Sequence, residues 1–361
     1  MEEANVATQK KSLNVGLNLL RILLTFGVVL DHFWWTATPE DYTGVRKALW
    51  HLRTLAVPAF MTMTFFFTAN RFRFGDVPWL KKHFLRLYEP FVFWALVYFA
   101  VRLVVARFDA WYDVGLADLL WQLALGSSER LCMQFWFHGD LIILTALFFV
   151  AFRAVSCAKA NFYLALGAVA LGFTLQYTPL NDAMFGWMPF GAKYPLGRLA
   201  AMLPYAGAGF LLAAIKDRLA ALTPGMKVSA ALFGLWLAWL VVYRDVCPRP
   251  HSEVGYAGLQ LNLTAWGIFF AFYYLPFDKM PAAFLKVVLG VSKYCMGVYC
   301  IHLLLGQLVF DFVFKGTKTA TKYGELRIFT VVQCIVVWVL SYVLCWLIAK
   351  IPVKFFKRVV E

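Results

Sequence analysis

Arg21, Asp31 and His32 stand in an otherwise apolar stretch, RILLTFGVVLDHFWW over residues 21–35, that closes on two tryptophans. An ionisable group at the middle of a bilayer costs roughly 3 kcal/mol on insertion scales, so three in one segment call for a function. In an α-helix eleven residues turn through about 1,100°, three turns plus some 20°. Arg21 and His32 therefore share one face, with Thr25 and Val28 between them, about 16 Å apart along the axis. One helix thus offers a permanent cation toward one end and a titratable base toward the other, beside the interfacial pair Trp34 and Trp35. That alignment suits a long ligand with an anionic head and a reactive tip. A plain structural reading exists for each group alone, since arginine snorkels and an interfacial histidine can be hydrated; the shared face weighs against it. Asp31 points about 100° away from His32 and is expected at the interface or paired with another helix.

Two further stretches carry ionisable or polar groups. QFWFHGDLI, 134–142, puts Asp140 about two turns inside a span. VSKYCMGVYCIHLLL, 291–305, sets Ser292, Cys295, Tyr299 and His302 at 3-4-3 spacing, one face of a helix. His32, Asp140, Tyr299 and His302 then lie at similar depth on three helices. Polar groups buried in lipid must face one another or a wet cavity, so a polar pocket is expected toward the outer leaflet. A second set, Arg21, Lys82 and Arg86, gathers on the inner side.

The elements that must position these residues are membrane helices. The 361 residues are 62% hydrophobic and only 15% charged, with mean hydropathy +0.68, whereas a soluble domain is about 25% charged. Apolar runs of about 20 residues recur from end to end. Ten spans are expected, at 13–35, 54–70, 88–106, 134–152, 160–177, 197–215, 226–243, 257–275, 284–306 and 327–348. The first is too long for a cleaved signal peptide and is expected to remain. Lys and Arg are denser on one set of loops, above all in RFRFGDVPWLKKHFLR, 71–86, which places both termini in the cytoplasm. The expected architecture is an all-α polytopic bundle, N-in and C-in, forming one domain over 1–361. MPFGAKYPLG, 188–197, reads as an outer loop, and DVGLADLLWQLALG, 113–126, as a segment lying on the outer surface or re-entering.

Composition also excludes. A net charge of +14 is accounted for by basic loops on an anionic inner leaflet, so no nucleic-acid partner is expected. No cysteine pair has metal-ligand spacing, and no metal is expected. Cys157, Cys295, Cys300, Cys334 and Cys345 read as packing residues, while Cys132 and Cys247 fall in outer loops where a disulfide could persist.

At this point the residues resemble a known family, the acyltransferase-3 integral membrane acyltransferases, which O-acetylate bacterial polysaccharides and lipid-linked glycans. Arg21 and His32, within LNLLRILLTFGVVLDHF, meet its R-x10-H motif. VPAFMTMTFFFTANRF resembles its second helix, KKHFLRLYEPFVFW its basic loop and third, and FWFHGDLI the Trp-Phe start of its fourth. LPYAGAGFLL resembles its sixth helix, and VSKYCMGVYCIHLLL its S-x6-Y-x2-H pattern near the end. The chain departs from the family at Thr64 and Phe65, where a Ser-Gly pair is usual. It departs also at His83 and Arg86, which stand for R-x-x-R beside Lys81 and Lys82, and at Lys350, where an acid is common. The SGNH-type esterase domain of some members is not seen, so transfer is expected within the membrane domain or with a glycan synthesis or export partner.

The resemblance implies an acyl-CoA donor, acetyl-CoA in the simplest case, docking from the cytoplasm on Arg21, Arg86 and Lys82, with its pantetheine arm along the Arg21–His32 face. It implies His32 as general base on the acceptor hydroxyl or as acyl carrier, work for which imidazole, with an ordinary pKa of about 6.5, is suited. Trp136, Asp140, Tyr299 and His302 become acceptor-side residues, Trp136 stacking on a sugar ring. The plasma (inner) membrane is the expected location. A glycan or lipid exporter lined by the same residues is the rival reading, but neither inverted repeats nor Gly/Pro-broken spans stand out. A non-catalytic partner of a glycan synthase is the third.

Overall fold

The structure, a computed structural model, describes residues 14–33, 44–72, 77–105, 114–126, 131–155, 157–185, 190–244, 256–308 and 328–361, and every regular element among them is helical. The long helices are α1 (Val15–Phe33), α2 (Gly44–Phe72), α3 (Val77–Val105), α4 (Leu116–Leu125), α5 (Trp136–Val155), α6 (Ala158–Tyr177) and α7 (Phe190–Ala214). They continue as α8 (Pro224–Arg244), α9 (Leu259–Tyr274), α10 (Ala282–Ser292), α11 (Cys295–Leu308), α12 (Ile328–Lys350) and α13 (Lys354–Val360), with short helices at Leu180–Phe185 and Lys216–Ala220. Trp34, Trp35 and Cys247 lie outside the described residues.

Over the described residues each of the ten expected spans is helical, the ninth broken at Lys293 and Tyr294. Among the described residues, six helices are long and apolar enough to cross a membrane: α1, Lys47–Ala69 of α2, α3, α5, Pro195–Ala214 of α7, and Val331–Lys350 of α12. A seventh is possible if α10 and α11, bent by 62° at their junction, count as one span. α9 has only 16 residues, the apolar stretch of α8, Pro224–Leu240, is also too short, and α6 mixes polar and small residues into its apolar run, so these three do not qualify by length and composition. α4 is amphipathic. It leaves Leu116, Leu120 and Trp121 exposed, buries Leu119 and packs on α3.

α1 is the hub. It packs against α2, α9, α10, α11 and α12, and is therefore apolar almost all round, as a central helix must be. Close approach needs missing side chains. Gly27 of α1 faces the Leu52 carbonyl of α2, where a Cβ would stand 2.6 Å from that oxygen. Gly306 of α11 receives the ring of Phe33, which draws the His32 end of α1 against α11.

Two expectations about local structure are overturned. Residues 190–197 are not a loop but the first turns of α7, with Pro195 and Pro204 inside the helix. Neighbouring helices can re-satisfy backbone groups that a membrane proline frees, so the Pro/Gly content did not break it. The second concerns Ser292, which does not share a face with Cys295, Tyr299 and His302. The helix stops at Ser292 and restarts at Cys295 in a new direction. This is also the broken span that the sequence did not reveal.

Candidate functional site

The site has two ends, and a cavity leads from the first toward the second. At the first end a cavity of about 390 Å³ is lined by Arg21 of α1, His83 and Arg86 of α3, Lys293 at the α10/α11 junction, and Arg358 and Glu361 at α13. Pro90, one turn after Arg86, also lines it and cannot donate to the Arg86 carbonyl. Deeper in, the walls are apolar or weakly polar: Phe60, Met63, Leu141, Met296 and finally Tyr299. Among the described residues no carboxylate forms an ion pair with Arg21 or Arg86. Like charges gathered on one wall favour an anion between them. Lys82 is exposed and does not line this cavity, so the cation set that the structure brings together is Arg21, Arg86, Lys293 and Arg358.

The route differs from the expected one. The α1 face between Arg21 and His32 is filled by α12: Trp338 Nε1 donates to Thr25 Oγ1 at 3.0 Å, and Tyr342 Oη lies 3.0 Å from the same oxygen. Val28 is buried in the core. The open path runs beside that face, between α1, α2, α3, α5 and α11.

At the second end the imidazoles of His32 and His302 lie 5.1 Å apart between ring centroids. His302 Nδ1 is 2.8 Å from the Tyr299 carbonyl and 3.2 Å from that of Val298. A carbonyl only accepts, so Nδ1 carries the proton and Nε2 keeps its lone pair. That Nε2 is buried without a hydrogen-bond partner. His302 is fully buried and His32 is half-buried, so His32 is the more accessible of the two.

α3 is tied to α11 beside His302. The Tyr98 hydroxyl accepts from the Leu304 amide at 2.8 Å and donates to the Cys300 carbonyl at 3.0 Å, the two groups an undisturbed helix joins to each other. Gln134 Nε2 donates to the same hydroxyl at 2.8 Å, and the Tyr299 hydroxyl donates to the Gln134 carbonyl. Tyr299 stands between the two ends. Its ring is 6.1 Å from His302 and 5.2 Å from His138. His138, not singled out from the sequence, is fully buried with Nε2 3.1 Å from Met296 Sδ. Neither His32 nor His302 lines the cavity, which ends at Tyr299.

Asp140 is not a free carboxylate. Arg198 of α7 grips it in two bonds, Nε to Oδ2 at 3.0 Å and Nη2 to Oδ1 at 3.2 Å, with each side chain about 4% exposed. The Arg198 guanidinium lies 4.5 Å over the Trp136 ring, and Trp136 is 5.1 Å from the ring of Tyr256. Tyr256 donates to Asp31 at 3.3 Å, and Asp31 pairs with Arg53 of α2 at 3.3 Å. Asp31 is thus paired with α2 and with Tyr256, just before α9, and a polar chain from Asp140 to Arg53 borders the His32 end. Arg198 escaped the sequence reading because its helix was read as starting at 197.

Cys132 is buried in the core, and its expected partner, Cys247, is outside the described residues. Among the described residues, no group of three or more His, Cys, Asp or Glu could hold a metal ion.

A family model described as an acyltransferase domain, that of the acyltransferase-3 family, matches residues 14–350, nearly the whole chain. No curated protein and no solved structure matches it.

Proposed function

The chain belongs to the acyltransferase-3 family, and from that premise we propose that it moves an acyl group, acetyl in the simplest case, from cytoplasmic acyl-CoA to a hydroxyl of an extracytoplasmic or lipid-linked glycan. The observation that carries this reading is the continuity of the site: one cavity begins among Arg21 and Arg86 and ends at Tyr299, one ring away from the His302–His32 pair. The proposed topology is ten spans in a plasma membrane with both termini inside, the Arg21 end cytoplasmic.

In this reading the donor's phosphates meet the arginines through charge-assisted bonds, and its pantetheine arm follows Met63, Leu141 and Met296 inward. Tyr299 stands between thioester and base, so transfer requires its ring to yield. The acceptor arrives at the other end, beside Trp136 and Tyr256, whose rings lie 5.1 Å apart. His32 is assigned the base because it is the half-buried imidazole of the pair, and an acceptor from outside can reach it. The acceptor oxygen attacks the thioester carbonyl carbon, His32 takes the hydroxyl proton, the C–S bond breaks, and the proton passes to the leaving thiolate. His302, anchored through Nδ1–H, positions His32 from behind.

Donor recognition is tested by equilibrium binding of CoA. A charge-assisted hydrogen bond contributes about 1.5–3 kcal/mol, so Arg21→Ala should weaken binding by about ten-fold or more. Arg86→Ala should act in the same direction, less strongly because its side chain is more exposed. Rising salt should weaken binding in the wild type. Unchanged CoA affinity in both variants would remove the donor from this cavity.

A further inference from the structure

We propose that α13 is part of the donor site: Lys293 and Arg358 take phosphate oxygens of the donor, and Glu361 is an internal anion that the donor displaces from Lys293. This rests on the acyl-CoA reading above and deepens it. Lys293, Arg358 and Glu361 line the same cavity as Arg21 and Arg86, so its lining holds four cations and the side-chain carboxylate of Glu361, with Arg358 also paired to Glu89 of α3. Glu361 accepts from Lys293 Nζ at 3.0 Å and lies 3.8 Å from Lys357.

The position of that carboxylate is imposed by packing. Val359 and Val360 are fully buried, and Trp94 Nε1 of α3 donates to the Val359 carbonyl at 3.0 Å. Arg358 pairs with Glu89 of α3 at 3.2 Å. α13 is therefore docked against the same helix that carries Arg86, and it holds Glu361 at the cation cluster. A phosphate and a carboxylate compete for the same ammonium, and the phosphate offers more charge and more acceptor oxygens. The Lys293–Glu361 pair is 45% and 21% exposed, and ion pairs that open to solvent are weak. It keeps Lys293 in place yet gives way to a stronger anion.

The test is CoA binding to the full chain in lipid nanodiscs, read as Kd. Glu361→Gln should tighten binding by about three-fold, since the competing anion is gone. Lys293→Gln should weaken it by about ten-fold, and Arg358→Gln by several-fold. If Glu361 acts through Lys293, the gain from Glu361→Gln disappears in the Lys293→Gln background, a non-additivity expected of groups in contact. Unchanged Kd in Glu361→Gln and Lys293→Gln, or an equal gain in both backgrounds, overturns the proposal. Binding that depends on Arg21 and Arg86 yet ignores Lys293 and Glu361 removes α13 and leaves the donor reading standing. A protein that binds no CoA takes down both.

Discussion

Replacing His32 by alanine should lower acyl transfer by about 10²- to 10⁴-fold while leaving CoA binding intact. The two effects separate because the cationic end of the cavity lies about 16 Å along α1 from the imidazole. His32→Gln should be nearly as damaging, since an amide forms hydrogen bonds but cannot take the proton. His302 is the competitor. It lies 5.1 Å away, fully buried, with an unpartnered Nε2. If it only positions His32, His302→Asn, which keeps a donor for the Tyr299 carbonyl, should retain far more activity than His302→Ala. Transfer and CoA binding measured side by side in these variants decide the assignment. If His32→Ala keeps more than about a tenth of wild-type transfer while His302→Ala and His302→Asn are both dead, the base is His302.

Breaking the Asp140–Arg198 pair should unfold or severely destabilise the protein. Removing one member of a buried ion pair typically costs about 3–5 kcal/mol, because the other charge is left without compensation. Both side chains are nearly inaccessible and joined by two bonds, and the Arg198 guanidinium also covers Trp136. Arg198→Met and Asp140→Leu should each cause a large drop in thermal stability in detergent. The double variant should recover much of the loss, because replacing a buried pair by apolar groups of similar volume is often near neutral. Additive losses in the double variant would mean that the two residues act separately, against the geometry.

How much of this could be read beforehand depends on the range of the interaction concerned. The alignment of Arg21 with His32 follows from the period of one unbroken helix, and α1 is continuous over Val15–Phe33. The pairing of Asp31 with another helix, α2, follows in the same way, from its direction on α1. Misreadings arose where tertiary packing overrides a local signal. The Pro/Gly content of 188–197 suggests a loop, yet α7 begins at Phe190, runs through Pro195 and Pro204 and carries Arg198 to Asp140. Ser292 fits the periodicity of Tyr299 and His302, but neither Gly nor Pro marks the break at Lys293 and Tyr294. Charge alone does not distinguish Lys82 from Lys293. Only the fold, which docks α13 under α3, shows which cations share a cavity. Trp338 and Tyr342, more than 300 residues from Thr25, fill the face that local geometry left open.

Acyl transfer itself is best tested by incubating the purified protein with acetyl-CoA labelled on the acetyl group and an extract of membrane glycans. The account predicts release of CoA matched by label in the glycan, with both lost in His32→Ala protein that still binds CoA. Acetyl-CoA left intact in the presence of acceptor would contradict it.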